Sequence, residues 1–142
     1  MFNLESRKQN TKNIINFLKK LLYSLHPNHE INGLLVLILH WCFVGIPMLG
    51  LIIFKLDWKF YISAIIWVLI CIFHIYFNGC ICTRLERELW NTKDWYGPWL
   101  VPFKLLESLG IPITYGLTHN IFICWGIALI IWILIRIIFQ DN

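Results

Sequence analysis

Two histidines and two closely spaced cysteines are the side chains in this sequence best suited to bind a metal ion or haem. His40 lies in the first long apolar run, and His74 lies six residues before Cys80, near the end of the second. At about 1.5 Å per helical residue, His40 lies about 13 Å and His74 about 9 Å from the same end of the two helices. Ionisable groups inside a bilayer usually face protein or water, so this pair is the leading candidate for a functional site.

Two interpretations of the histidine pair stay open. As ligands, His40 and His74 would hold haem or a metal ion, with Cys80 as a third ligand. As structural groups, the two neutral imidazoles would hydrogen-bond between neighbouring helices. The Cys80-x-Cys82 spacing is a weak zinc signal, because zinc sites usually use cysteines separated by two residues and the chain has no second pair. We therefore predict no cofactor outright and keep haem or a metal ion as the alternative.

Catalytic signatures are absent from the sequence. It contains no phosphate loop, no G-x-S-x-G nucleophile elbow and no H-E-x-x-H motif. Its five cysteines are odd in number and lack the spacing of an extracellular disulfide framework, so we expect reduced thiols. These observations favour a protein that is not an enzyme.

The composition is that of an integral membrane protein. Of 142 residues, 58% are hydrophobic and 14% are charged, with a mean hydropathy of +0.66; soluble domains carry about 25% charged residues. Crossing a bilayer takes about 20 apolar residues, so residues 33–54, 60–82 and 120–139 predict three transmembrane helices. The expected fold class is all-α, with a basic amphipathic helix in residues 1–30 and a multi-pass membrane domain in residues 31–142. Arg136, in the third span, is expected to snorkel to the interface.

Two further segments lie outside these spans. In the N-terminal helix, apolar residues repeat at helical spacing while Lys12, Lys19 and Lys20 occupy the other side. That pattern is typical of a helix lying in the headgroup plane, and packing on a protein partner is the alternative. Prolines and glycines interrupt residues 95–118, which predicts a re-entrant or interfacial segment, with a fourth crossing as the alternative.

The distribution of basic residues predicts the orientation. Nine lysines and arginines precede the first span or follow the second, against three on the opposite side. The positive-inside rule therefore places the N-terminus on the inner face. No apolar core precedes residue 14, so the sequence has no secretory signal pattern and the first span is expected to be retained.

The polar segment after the second span is expected to emerge on the inner side and to continue as a solvated helical turn. Arg84 or Arg87 can donate to the last carbonyls of the spanning helix, which have no helical partners. Glu86 can accept from the indole N–H of Trp90 or Trp95, and Thr83 also belongs to this interface. The tryptophans suit the aromatic belt of a membrane surface.

The stretch "GCICTRLERELW" resembles a segment of a family of small, uncharacterised multi-pass membrane proteins, described as a domain of unknown function. In that family the second long helix ends in Cys-Pro-Leu-Thr, followed by Leu-Glu and another leucine. The matching positions here are Cys80, Thr83, Leu85, Glu86 and Leu89. His40 is similar to an early histidine of the family, whereas Ile81 replaces the motif's proline and the expected histidine near the start of the second helix is missing. The resemblance implies a topology and no particular reaction.

The functional hypothesis from sequence is a structural or accessory subunit of a larger membrane-associated assembly. Short loops, no soluble domain and extensive apolar faces favour it. The assembly would be a respiratory-type complex or a viral membrane-capsid lattice, so the partners would be the lipid bilayer and other membrane or capsid-type subunits, with no nucleic acid. The alternative is a haem- or metal-binding membrane redox protein that uses His40 and His74.

Overall fold

The chain is all-helical over the residues that the structure describes. The computed structural model describes residues 4–140, apart from the side chains of Tyr115 and Gln140, and that range contains no strand. The helices are α1 (Leu4–Leu25), α2 (His29–Ile53), α3 (Trp58–Tyr76), α4 (Ile81–Trp90), α5 (Leu100–Ser108) and α6 (Tyr115–Gln140), with a 3₁₀ turn at Gly97–Trp99.

Three helices are long and apolar enough to cross a membrane, namely His29–Ile53, Trp58–Tyr76 and Gly116–Phe139. This confirms the all-α class and the number of candidate spans. Side chains define where the first two begin, because Asn28 Oδ1 accepts from the backbone N–H of Glu30 at 2.7 Å and Asp57 Oδ1 accepts from that of Lys59 at 2.9 Å. Such caps satisfy backbone donors that lack a helical acceptor.

The second helix ends earlier than the sequence predicted. α3 ends at Tyr76, six residues before the predicted boundary at 82, and α4 is a separate helix. Asn78 (φ 53°) and Gly79 (φ 127°) both adopt positive φ, a conformation that asparagine and glycine tolerate better than other residues. The chain therefore leaves the helix at this point and starts a new one after Cys80.

α4 is packed inside the protein and is not the solvated turn that we expected. Leu85, Glu86 and Leu89 on this helix are all buried. They face α1 and the first half of α2. Leu85 and Leu89 form one apolar core with three residues of those helices, namely Ile15, Leu22 and Val36.

A second core lies between the far half of α2, α3 and α6. It contains Leu51, Phe60, Trp67, Leu129 and Ile133. The two cores share α2, so the segment between them, where α3 gives way to α4, faces the middle of that helix.

Arg136 belongs to this second region, and the prediction that it snorkels to the interface is wrong. The side chain is only 6% exposed, and its Nη1 donates to the carbonyl of Leu51 at 2.9 Å while the guanidinium lies over the Phe60 ring. Trp132 donates to the same carbonyl at 3.1 Å. Because Leu51 lies in the last turn of α2, its oxygen has no helical partner, and these two donors satisfy it.

A glycine-to-alanine pair tests the close contact between α2 and α4. A Cβ at Gly33 would overlap the Trp90 indole, whereas a Cβ at Gly45 on the same helix would meet Trp41 at an ordinary 3.7 Å. Both substitutions gain helix propensity of about 1 kcal/mol, but overpacking at Gly33 should cost about 1–3 kcal/mol. Thermal unfolding in detergent should therefore place Gly33→Ala below Gly45→Ala. Equal midpoints would contradict this packing.

Candidate functional site

His40 and Glu86 form a buried contact between α2 and α4. His40 Nδ1 lies 2.9 Å from Glu86 Oε1, and the two residues are 4% and 0% exposed. The other ring nitrogen of His40, Nε2, lies 3.2 Å from Cys80 Sγ. Both imidazole nitrogens are thus engaged, one by a carboxylate and one by a thiol.

A third potential ligand completes the group. The ligand atoms of His40, Cys80 and Cys82 all lie within 4.8 Å of one another. In the sequence, the spacing of this pair of cysteines is only a weak zinc signal, and residues two apart on a continuous helix would also point to different faces. The backbone break changes that geometry, because Cys80 precedes α4 in an extended conformation and Cys82 lies in its first turn.

The two thiols differ in acidity. Hydrogen bonds from the Cys82 thiol, from His40 and from the backbone of Thr83 lower the pKa of Cys80, although burial opposes this shift. The pKa of Cys82 is raised, because its proton is held in the hydrogen bond to Cys80 and because the group is buried. Cys80 is therefore the sulfur that favours the thiolate, which is the form that binds metals and acts as a nucleophile.

Residues after α4 close over this group. Trp95 Nε1 donates to Glu86 Oε2 at 2.5 Å, so both carboxylate oxygens have a partner. Gly97 has φ +59°, and a Cβ there would lie 2.7 Å from Thr83 Oγ1 and 3.2 Å from His40 Cε1. The turn at Gly97 fits against the site because this residue has no side chain.

Two arginines hold the segments on either side of α4. Arg84 Nη2 donates to the carbonyls of Phe77 at 3.2 Å and of Asn78 at 2.7 Å, where the α3 helix ends. Arg87 Nε donates to the carbonyl of Trp95 at 2.5 Å. The sequence predicted the carbonyl partners of Arg84 and the contact between Glu86 and Trp95. Arg87, the other donor expected at the end of the second helix, donates to the carbonyl of Trp95 instead.

Trp90 contacts a different partner from the one expected. Its indole N–H points to the carbonyl of Glu30 at 3.4 Å, and its ring packs edge-on against Trp95 with centroids 4.5 Å apart. The tryptophans therefore join α4 to the start of α2 and to the segment before the 3₁₀ turn.

His74 is not part of the His40 group. Its ring stacks on Phe122 of α6 with centroids 3.7 Å apart, and on His119 at 5.2 Å. His74 Nε2 is buried without a hydrogen-bond partner among the described residues. The structure thus directs His74 to α6, whereas it brings His40 together with Cys80 and Cys82.

The three N-terminal lysines occupy different environments. Lys19 Nζ forms an ion pair with Glu88 Oε2 of α4 at 3.0 Å, while Lys12 and Lys20 are exposed. Arg7 also ties α1 to the end of α3 by donating to the carbonyl of Tyr76 at 2.6 Å. α1 is therefore anchored to its own chain along part of its length.

Comparison with known proteins adds no assignment. The chain matches no protein-family model, no curated protein and no solved structure.

Two tryptophan substitutions test the hydrogen bond from Trp95 to Glu86. Trp95→Phe keeps an aromatic ring but leaves a buried carboxylate oxygen without its donor, which should cost about 1–3 kcal/mol. Trp99→Phe is the control, because Trp99 lies in the same segment and packs on Trp125 without a hydrogen bond from its indole to any described residue. Chemical denaturation in detergent should show the larger loss for Trp95→Phe. A larger loss for Trp99→Phe would show that ring packing, and not the hydrogen bond, holds the segment.

Proposed function

We propose that this small multi-pass membrane protein binds a thiophilic transition-metal ion, zinc or copper(I), through His40, Cys80 and Cys82. The observation that carries the proposal is the convergence of three ligand atoms within 4.8 Å of one another. One imidazole with two cysteine sulfurs is a donor set that suits these ions.

The surrounding residues support the same ion. A ligating histidine usually donates its other ring N–H to a carboxylate, and Glu86 lies at the correct distance from His40 Nδ1. Cys80 Sγ lies so close to His40 Nε2 that a bare ion fits the group better than a haem ring between them. Three protein ligands leave a fourth coordination position, as in catalytic zinc sites. All three ligands line a cavity, towards which that position would face.

The metal content of the purified protein should depend on Cys80 and Cys82. We expect purified protein to retain about one ion per chain by elemental analysis, and Cys82→Ala to remove it. Cys42→Ala is the matched control, because this thiol is exposed on the same helix as His40. Retention of the ion by Cys82→Ala would exclude the three-ligand site.

If Glu86 orients His40 as a metal ligand, Glu86→Gln should weaken metal binding without unfolding the protein. In Glu86→Gln the amide oxygen can accept from Trp95 while the amide N–H faces His40 Nδ1, which then becomes an acceptor. The proton moves to Nε2, and that nitrogen loses the lone pair needed to bind a metal. Metal affinity measured by competition with a chelator should fall by about 10–100-fold, while the variant still folds. Unchanged affinity would show that Glu86 does not orient the ligand.

A second function fits the same geometry. Cys80, His40 and Glu86 stand in the order nucleophile, base and orienting carboxylate, which also suits thiol-based acyl transfer. Cys82 is not needed for this chemistry. Modification of Cys80 by an acyl-thioester probe that persists in Cys82→Ala and disappears in His40→Ala would favour it, whereas loss of metal in Cys82→Ala favours the ion.

The hypothesis of an accessory subunit stays a proposal beside these. Many large apolar side chains are exposed on the outer faces of α2, α3 and α6, among them Ile38, Ile65 and Ile138. A bilayer or other subunits of an assembly would cover them. Native mass measurement after mild extraction shows whether lipid alone or other subunits cover these faces. A lone monomer would contradict the subunit role.

The proposed membrane placement follows the charges. With the N-terminus inside, α1 would lie near the inner headgroups with Lys12 and Lys20, and residues 95–118 would form an interfacial segment. The family resemblance stays a proposal; its matched positions Cys80 and Glu86 contact His40. In sealed inside-out vesicles a protease should cleave an N-terminal tag; protection of that tag would reverse the orientation.

A further inference from the structure

A large cavity lies beside the metal-binding group and extends away from it between the helices. Its volume is about 1100 Å³. α2, α3 and α6 supply most of its apolar wall, through Val44, Ile70, Phe122 and Ala128. Its polar end is formed where α4 begins, by Cys80, Arg84 and Arg87, among others.

Two arginines supply positive charge at the polar end. Among its described lining residues the cavity has two arginines and no aspartate or glutamate. Arg84 uses Nη2 for the Phe77 and Asn78 carbonyls, and Arg87 uses Nε for the Trp95 carbonyl. Each guanidinium carries five N–H donors, so other donors stay available for an anion.

The cavity is open to the outside. Phe73 of α3 and Trp125 of α6 both line it, and they are 56% and 41% exposed. A molecule already dissolved in the bilayer could therefore enter between these two helices without passing through water.

From this shape and charge we infer that the cavity binds a single-chain amphiphile with an anionic head, namely a long-chain fatty acid. Its alkyl chain lies along the wall between α3 and α6, and its carboxylate lies against Arg84 and Arg87. The inference goes beyond metal binding and does not depend on it, because no metal ligand supplies the charge that selects the head.

The head group, and not the chain, should determine selectivity. An alkyl chain that moves from lipid into an apolar cavity changes one apolar environment for another and gains little. Hydrogen bonds to a charged group contribute more than neutral ones. We therefore expect the acid to bind at least about tenfold better than the alcohol of the same chain length.

A photo-crosslinking experiment tests this in nanodiscs of phosphatidylcholine, in mildly alkaline buffer. The probes are palmitic acid with a diazirine in its chain and the matching alcohol. We expect the acid to label residues of the cavity wall such as Ile70 and Phe122, in competition with unlabelled palmitate. Labelling spread evenly over outward-facing residues such as Ile65 and Ile131, or equal labelling by the alcohol, would overturn the inference.

Two pairs of variants complete the test. Arg84→Gln with Arg87→Gln should remove the preference for the acid, whereas Lys55→Gln with Lys59→Gln removes the same charge far from the cavity and should not. Ala128→Trp should block labelling by filling the cavity, and Ile131→Trp on an exposed face of α6 should not. If the arginine variant does not fold, Ala128→Trp still decides, because undiminished labelling there contradicts the inference. Metal content measured on the same samples shows whether the ion site fails independently.

Discussion

The contact between Glu86 and His40 is the interaction on which the rest of the structure depends. Removing a carboxylate from water costs several kcal/mol unless hydrogen bonds replace the lost hydration, and Glu86 has no exposed surface. His40 Nδ1 and Trp95 Nε1 supply those bonds, one to each oxygen. The same two bonds fix α4 against α2 and hold the following segment over both helices, so one buried side chain positions three parts of the chain.

The break between α3 and α4 is the constraint that makes this contact geometrically feasible. Positive φ values at Asn78 and Gly79 end α3 and let α4 turn onto the first half of α2. Without that break, Cys80 and Cys82 would lie on different faces of one long helix, and Glu86 would not reach His40. Arg84 stabilises the break by satisfying the two carbonyls that it leaves without helical partners.

Much of this architecture follows from the sequence, because hydrophobic length and capping are local properties. The three long apolar runs predicted three candidate spans, and the position of Arg84 at a helix end predicted its carbonyl partners. Tertiary geometry limited the rest. Cys80 and Cys82 can be recognised as a pair of metal ligands only when the backbone break before them is known. The sign of that break in the sequence was Asn78 followed by Gly79 inside a helical pattern. Likewise, the sequence placed His40 and His74 at similar distances from the same end of their helices. It did not show which neighbouring helix each side chain faces. His74 faces α6, and Arg136 is buried because an unpaired carbonyl of α2 lies within its reach.

X-ray absorption at the metal edge of the purified protein reports the ligand atoms themselves and therefore tests whether His40, Cys80 and Cys82 bind a metal ion. For zinc, we expect about two sulfur neighbours near 2.3 Å and one imidazole nitrogen near 2.0–2.1 Å. We also expect the number of sulfur neighbours to halve in Cys82→Ala if any ion remains. A shell of oxygen and nitrogen alone, or a purified wild-type protein without any metal edge, would contradict the assignment of His40, Cys80 and Cys82 as a metal site.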